Sequence, residues 1–324
     1  MTTILDITRR ALLAAALSAA AAGASAQAFP SKPIKFVVPF AAGSTTDLTA
    51  RFLAQHVSER LKQPVVIENR AGANGFIGIQ YALTQPADGY TVIISTSTTH
   101  AANAALFKKL PYDPVSDFIP LTGVSVGGLV LAVAPGFPAQ NVKDVLELAK
   151  NRPGKLTFGS GNSSSRAGGE LFKEIGKVEL LHVPYKALPA AITDVIGGQV
   201  DMVFGDGPAV LPLVRSGRLK ALGVSTRARM PGLDNVPTIA EQGLAGYELT
   251  GWIAAFAPKG TPTDIADRLN EVLVSVLRMP EAVRFFGETA WSPMPMSRQE
   301  MAAFQKTELA RWARVIKSAG IEPE

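Results

Sequence analysis

A short apolar run that breaks at small residues into a helical pattern constrains this chain more than any other feature. Ile34 to Val38 is brief, β-branched and aromatic-rich, the make-up of a buried strand. It passes through Pro39 and Phe40 into Ala41-Ala42-Gly43-Ser44-Thr45-Thr46-Asp47. Leu48, Phe52, Leu53 and Val57 then recur on one helical face. Ser44 and Asp47 stand at capping-box spacing, so the helix is predicted to start there. A strand that turns through glycine into a helix N-terminus leaves N–H groups free and carries partial positive charge, which makes a seat for an anion. Neither G-x-x-x-x-G-K-[ST] nor G-x-G-x-x-G is present at this turn, so nucleotide binding is not indicated. Taken alone, the turn reads equally as an ordinary cap.

The unit recurs. Val65 to Asn69 is a second strand, followed by a helix carrying Ile77, Tyr81 and Leu83. A turn at Asp88-Gly89 leads to a third strand, Tyr90 to Ile94, ending in Ser95-Thr96-Ser97-Thr98-Thr99-His100. Strands alternating with helices at these spacings imply parallel pairing. After a Pro-rich loop, Tyr112 to Pro120, the apolar stretch Leu121 to Ala134 reads as a strand leaving one lobe for another. Helices are predicted at Val142 to Lys150, Ala167 to Ile175, Pro189 to Ile196 and Pro208 to Val214. Strands are predicted at Leu156 to Phe158, Leu180 to Val183, Asp201 to Phe204 and Ala221 to Ser225. Trp252 to Ala257 reads as the return crossing. Two crossings make the lobes discontinuous, residues 27–124 with 253–324 and residues 125–252, which suits a hinge. Thr261-Pro262 predicts an N-cap with proline at the first helical position. Met301, Phe304, Trp312, Val315 and Ile316 mark a final helix whose apolar stripe packs on the core rather than on a membrane.

The first residues have the order of a secretory leader. Arg9-Arg10 precede an apolar run from Ala11 to Gly23, and Ala24-Ser25-Ala26 fits an A-x-A cleavage site. Residues 1–26 are therefore expected to be removed on export to the periplasm, with the Sec route favoured over twin-arginine export. Losing Asp6, Arg9 and Arg10 takes the net charge from +5 to +4, suited to an anionic solute and too diffuse for nucleic acid. There is no cysteine, so even in an oxidising compartment the fold must stand on its core. At 47 % hydrophobic residues the chain can supply one.

Three further strand ends share the chemistry of the first. Gly159-Ser160-Gly161-Asn162-Ser163-Ser164-Ser165 follows a strand and opens a helix, Ser95 to Thr99 is similar, and Phe204-Gly205-Asp206-Gly207-Pro208 starts a helix at proline. In open α/β sheets, ligands bind outside the carboxyl ends of the strands. Anion seats facing each other from two lobes suit a molecule with a carboxylate at one or both ends.

Several segments in fixed order, covering essentially the whole chain after the leader, resemble the Bug family of extracytoplasmic solute receptors. They are Val38 to Asp47, Val66-Ile67-Glu68-Asn69-Arg70-Ala71-Gly72, Asp88-Gly89-Tyr90-Thr91 and Leu110-Pro111-Tyr112-Asp113-Pro114. His182-Val183-Pro184-Tyr185-Lys186, Gly198-Gln199-Val200-Asp201 and Leu219-Lys220-Ala221-Leu222 complete the set. The resemblance implies an α/β, two-lobed periplasmic binding protein fold, type II-like, with a mostly parallel sheet in each lobe and a ligand cleft between them. It implies capture of a small carboxylate for a tripartite tricarboxylate-type transporter; the expected ligand is a di- or tricarboxylate or an aromatic acid, bound by a monomer without cofactor or metal. It maps the carboxylate-holding turns onto Ala42 to Asp47 and Ser160 to Ser165; with the similar strand ends added, the candidate ligand contacts are Phe40, Ala42, Gly43, Ser44, Thr45, Thr46, Asp47, Ser97, Thr98, Ser160, Gly161, Asn162, Ser163, Ser164, Tyr185 and Asp206. The family's A-P-G-G-G-T-D is Ala41-Ala42-Gly43-Ser44-Thr45-Thr46-Asp47 here, so side-chain hydroxyls stand where glycines would be. Its F-D-N is Phe204-Gly205-Asp206, which moves the acid by one position.

Other residues have plainer readings. His100 and His182 lie near strand ends but lack the order of a catalytic triad or metal-ligand spacing, so a structural role is expected. No base is evident beside Ser160 to Ser165, which weighs against an enzyme on this scaffold. Lys186 and Arg166 could meet a ligand's second acid group, and Asp47 is expected to cap its own helix. The remaining alternative is a ligand-dependent partner of a sensor protein.

Overall fold

In the computed structural model, which describes residues 29–323, the first apolar run is strand β1, Ile34–Val38, and four of its five side chains are buried. The expected leader, residues 1–26, lies outside the described residues. The chain turns at Gly43, whose φ of 78° is in the left-handed region that favours glycine, into helix α1, Thr45–Leu61. Ser44 is the N-cap and accepts from Asp47 N. The return bond differs from a full capping box: the Asp47 carboxylate takes the N–H of Gly43 instead of that of Ser44.

Strands β2, Val65–Asn69, and β3, Thr91–Thr96, lie parallel on either side of β1, with helix α2, Phe76–Leu83, between them in sequence. Past β3 come one π-helical turn, Thr98–Ala102, and a short helix α3, Asn103–Leu106. Strand β4, Phe118–Val133, follows and begins three residues earlier than expected. The second set of units is helix α4, Val142–Asn151, strand β5, Thr157–Ser160, helix α5, Ser163–Gly176, and strand β6, Leu181–Pro184. Helix α6, Leu188–Ile196, strand β7, Met202–Asp206, helix α7, Gly207–Arg215, and strand β8, Lys220–Val224, complete it. Here β5 is the central strand, parallel to both β6 and β7.

Strand β9, Thr250–Pro258, returns beside β3 and β4, giving the order β2-β1-β3-β9-β4-β7-β5-β6. The two crossing strands run in opposite directions, so parallel triplets at the outer ends are joined by antiparallel pairs. From Phe118 to Gly128, β4 pairs with β9; from Leu129 to Val133 it pairs with β7, and from Val130 with β8. Ser225 knits the switch point: its Oγ accepts from Leu129 N at 2.7 Å and donates to the Leu249 carbonyl at 2.5 Å.

Two helix starts depart from expectation for local reasons, and two elements are additional. Helix α5 starts at Ser163, four residues before Ala167, because Asn162 and Ser165 close a capping box. Helix α8, Thr263–Leu277, has Pro262 itself at the N-cap, and the Thr261 hydroxyl donates back to the Pro258 carbonyl instead. Helix α9, Pro280–Glu288, and strand β10, Trp291–Pro293, were not anticipated; β10 pairs with β4 at Gly127.

The last helix, α10, Arg298–Ser318, buries Met301, Trp312 and Ile316, so its apolar stripe meets protein. Among the described residues no helix is long and apolar enough to cross a membrane. Glu308 is enclosed beneath α10, where it accepts from Trp252 Nε1 at 2.9 Å and from Arg311 at 3.3 Å. Glu308→Ala strands the indole N–H in the interior and is expected to cost about 2 kcal/mol in urea denaturation. Glu308→Gln keeps an acceptor and should cost less than half of that. Equal losses for the two would show that the hydrogen bond contributes nothing.

Candidate functional site

Three helices start at the carboxyl ends of strands and turn their N-termini toward one slot: α1 after β1, α5 after β5 and α7 after β7. The first N–H groups of a helix have no intrahelical acceptor and carry the positive end of its dipole. At α5, Ser165 N donates to Asn162 Oδ1 at 2.8 Å while Ser165 Oγ takes Gly161 N at 3.1 Å. These bonds fix the turn and leave the N–H groups of Ser163 and Ser164 at the helix mouth. At α7, Asp206 is the N-cap without a side-chain cap bond, and proline follows in the first turn.

The slot is bounded by Phe40, Ser44, Thr45 and Thr46 from the first turn, by Ser97 and Thr98 after β3, and by Gly161, Asn162, Ser164 and Asp206 from the other sheet. The space among these residues, counted with the solvent at its mouth, is about 530 Å³. Contacts already cross it: Ser97 Oγ lies 3.4 Å from Ser164 Oγ, and behind the slot Ser163 Oγ donates to Asn103 Oδ1 at 2.9 Å. Thr45 is only 4 % exposed, and its Oγ1 is enclosed with no hydrogen-bond partner. A buried hydroxyl without a partner is costly. It lies at the edge of a slot rimmed by helix N-termini.

Six residues expected at the ligand do not line this slot. Ala42 and Gly43 are exposed residues of the first turn. Asp47 is committed to it: its carboxylate takes Gly43 N at 2.9 Å, Arg51 Nε at 3.0 Å and Asn69 Nδ2 at 3.0 Å. Burial alone would raise the Asp47 carboxyl, but those three partners hold it below the usual range. Ser160, Ser163 and Tyr185 open onto a separate cavity on the far side of the Gly161–Asn162 backbone, together with Arg166, His182 and Lys186. There Tyr185 donates to Asp194 at 2.7 Å, and burial foremost, then that carboxylate, pushes its hydroxyl up to about 12. The Gly161–Asn162 backbone thus keeps the basic side chains away from the slot.

Both histidines have structural surroundings. His100 is fully buried, stacked 3.9 Å from Phe256, and desolvation lowers it to about 3, so it is neutral. His182 stands beside a serine, a neighbour that the sequence did not reveal: its Nε2 lies 2.7 Å from Ser160 Oγ. The two sit diagonally on paired strands, since His182 is opposite Phe158.

Asp206 is 8 % exposed, and burial pushes its carboxyl up to about 6 against the opposing hydrogen bond from Asn162 Nδ2 at 3.3 Å. The apolar walls were missed. Trp291 of β10 lines the slot beside Leu188, Pro189 and Ala209. Its indole lies flat on β4: a methyl group at Gly127 would stand 2.3 Å from Trp291 Cδ1. The signal available was Gly127-Gly128 within a long apolar strand, a mark of close approach by a bulky group.

Crossing strands shared by two sheets, with helix N-termini from both sides at one slot, define a two-lobed α/β solute-binding protein. The chain belongs to the tripartite tricarboxylate transporter receptor family, whose sequence pattern it matches over residues 49–321. BugT of Bordetella pertussis is 34 % identical over 303 residues, 93 % of each chain. An R. palustris protein solved with adipate superposes with a TM-score of 0.89 at 37 % identity, over 91 % of this chain and 100 % of that one. MatC from Rhodopseudomonas palustris, with bound malate, gives 0.84 at 29 % identity, over 89 % and 100 %.

Proposed function

We propose that this chain is an exported receptor that captures a small carboxylate in the slot and presents its closed form to the membrane subunits of a tripartite transporter. The observation that carries this reading is the meeting of helix N-termini from both sheets at a slot where the Thr45 hydroxyl is buried without a partner. Adipate and malate in the two neighbouring structures support an acid as ligand. The lobes are residues 27–124 with 253–324 and residues 125–252, a division supported by the change of β4 partners after Gly128. A ligand touching donors on both lobes stabilises closure by its greater affinity for the closed state. In this reading residues 1–26 direct export by the Sec route, and the receptor works in the periplasm as a monomer.

An enzyme is the second reading, favoured by the Ser160–His182 contact, which has nucleophile–base spacing. Cross-strand geometry accounts for that contact without chemistry, because diagonal residues on one face of paired strands meet side by side. The receptor works by closure and not by turnover.

Thr45→Val tests the site. It removes the hydroxyl while keeping the shape, so affinity for adipate, malate or benzoate should fall about tenfold, the loss of one hydrogen bond to a charged group. Stability should hold or rise slightly, since an unpaired buried polar atom is removed. Titration calorimetry and urea denaturation give the two numbers. A variant that binds every acid as the parent does would place the ligand elsewhere.

A further inference from the structure

One residue of the slot's apolar wall rests on bare backbone. Trp291, 4 % exposed, begins β10 and is paired with Gly127 of β4, which is in turn paired with Gly251 of β9. Residues abreast in neighbouring strands project from the same face of a sheet, and here two of the three have no side chain. The indole takes the vacant ground. A Cβ on Gly127 would stand 2.3 Å from Trp291 Cδ1 and 2.5 Å from Nε1, and one on Gly251 would stand 3.8 Å from Cη2. The pyrrole edge therefore lies on Gly127, and the benzo edge reaches toward Gly251. That same point above Gly251 is 3.6 Å from Ser97 Oγ and 3.8 Å from Ser164 Oγ, the two hydroxyls that meet across the slot. Just before the indole, Ala290 has a φ of 62°, a left-handed conformation that alanine seldom adopts. Strained backbone of this kind clusters where the direction of a neighbouring side chain matters to binding.

We infer that Trp291 gauges the carbon body of the ligand: its indole fills the ground over Gly127 and Gly251, so the slot takes a flexible chain acid in preference to an aromatic acid. This inference rests on reading the slot as a carboxylate site. An acid group at the Ser97 and Ser164 hydroxyls would start at the benzo edge of the indole. A chain bends at each methylene and can turn away toward Leu188, Pro189 and Ala209. A benzene ring is rigid and lies in the plane of its own carboxylate, so it meets the indole edge without relief. Packed walls accommodate such an excess of volume only at a cost.

Acids matched in charge separate the possibilities. Titration calorimetry would compare hexanoate with benzoate, and adipate with isophthalate. In the parent protein each chain acid should bind about tenfold or more tightly than its aromatic partner. Trp291→Phe withdraws the benzo edge, and Trp291→Leu removes both rings. Either should raise binding of the aromatic acid about tenfold relative to the chain acid. Adding Gly251→Ala to Trp291→Phe puts a methyl group back at the vacated point and should return the ratio toward that of the parent. Gly251→Ala alone finds its nearest contact at 3.6 Å, so it keeps the test open if both tryptophan variants fail to fold. It thickens the same floor and should raise the chain-to-ring ratio about threefold. Aromatic acids that bind the parent as tightly as chain acids, or ratios unchanged in every folded variant, would overturn the inference and leave the carboxylate site standing. Binding of none of the four acids would overturn both.

Discussion

Gly161→Ala is expected to remove about 3 kcal/mol of stability and, with it, measurable binding of any acid that the parent binds. A methyl group built on Gly161 stands 2.0 Å from Leu188 N, 2.2 Å from the Ala187 carbonyl carbon and 2.5 Å from Leu188 Cα. These are backbone atoms at the entry to α6, and no rotamer can move them aside. Relief requires α6 to shift away from the turn that carries Asn162, and overpacking of this kind costs about 1–3 kcal/mol or more. Gly161, Leu188 and Pro189 all line the slot, so the same movement distorts the site. Gly287→Ala is the control: its surroundings are open within 4 Å and it lies inside helix α9, so alanine should be neutral or slightly stabilising. Urea denaturation of both variants, followed by titration of adipate, reads the effect. If Gly161→Ala denatures with the parent's midpoint, the close approach of α5 and α6 is not as described.

Asp206→Asn should stabilise the protein, and only at the higher pH. The folded carboxyl titrates near 6, raised from an ordinary value of 3.8 chiefly by burial. Below pH 3.8 the group is protonated in both the folded and unfolded chains, and it costs nothing. As pH rises from there to about 6, the unfolded chain releases the proton more readily, so stability falls. Above 6 the cost is complete, and a separation of about two pH units corresponds to about 3 kcal/mol. Asparagine has no charge to desolvate. The variant should exceed the parent by about 2–3 kcal/mol at pH 8 and match it at pH 4. Denaturation at the two pH values decides the matter, since a difference that is the same at both would come from packing and not from charge. In the proposed reading, a residue that weakens the fold at neutral pH and lines the slot exchanges stability for recognition.

Much of the chain was legible because its elements are short, bounded by glycine and proline, and differ sharply in period. Ile34 to Val38 and Val65 to Asn69 were each a β-branched run closed by a turn, and both are strands at those bounds. Val142 to Lys150 is a helix to within one residue. Local signals also placed α5 too late, because serine-rich sequence resembles a loop until Asn162 and Ser165 are seen to cap each other. The stretch with α9 and β10 was not read at all. Trp291 has no periodic neighbours, and the pairing that makes it a strand lies 164 residues back, at Gly127.

The sequence by itself determined that strands end in small, hydroxyl-bearing turns which open helices, since that depends only on neighbours along the chain. Backbone N–H groups at such ends are left free whatever the tertiary arrangement. Which turns share a slot was decided only in three dimensions. Ser163 and Ser164 are adjacent in sequence, yet Ser164 lies beside Ser97 in the slot while Ser163 turns behind it to Asn103, because successive residues at a helix start point about 100° apart. In the sequence Asp206 is among the candidate ligand contacts and Lys186 is a possible partner for a ligand's second acid group. Tertiary packing puts the Gly161–Asn162 backbone between them, so the acid is left in the slot and the cation is not.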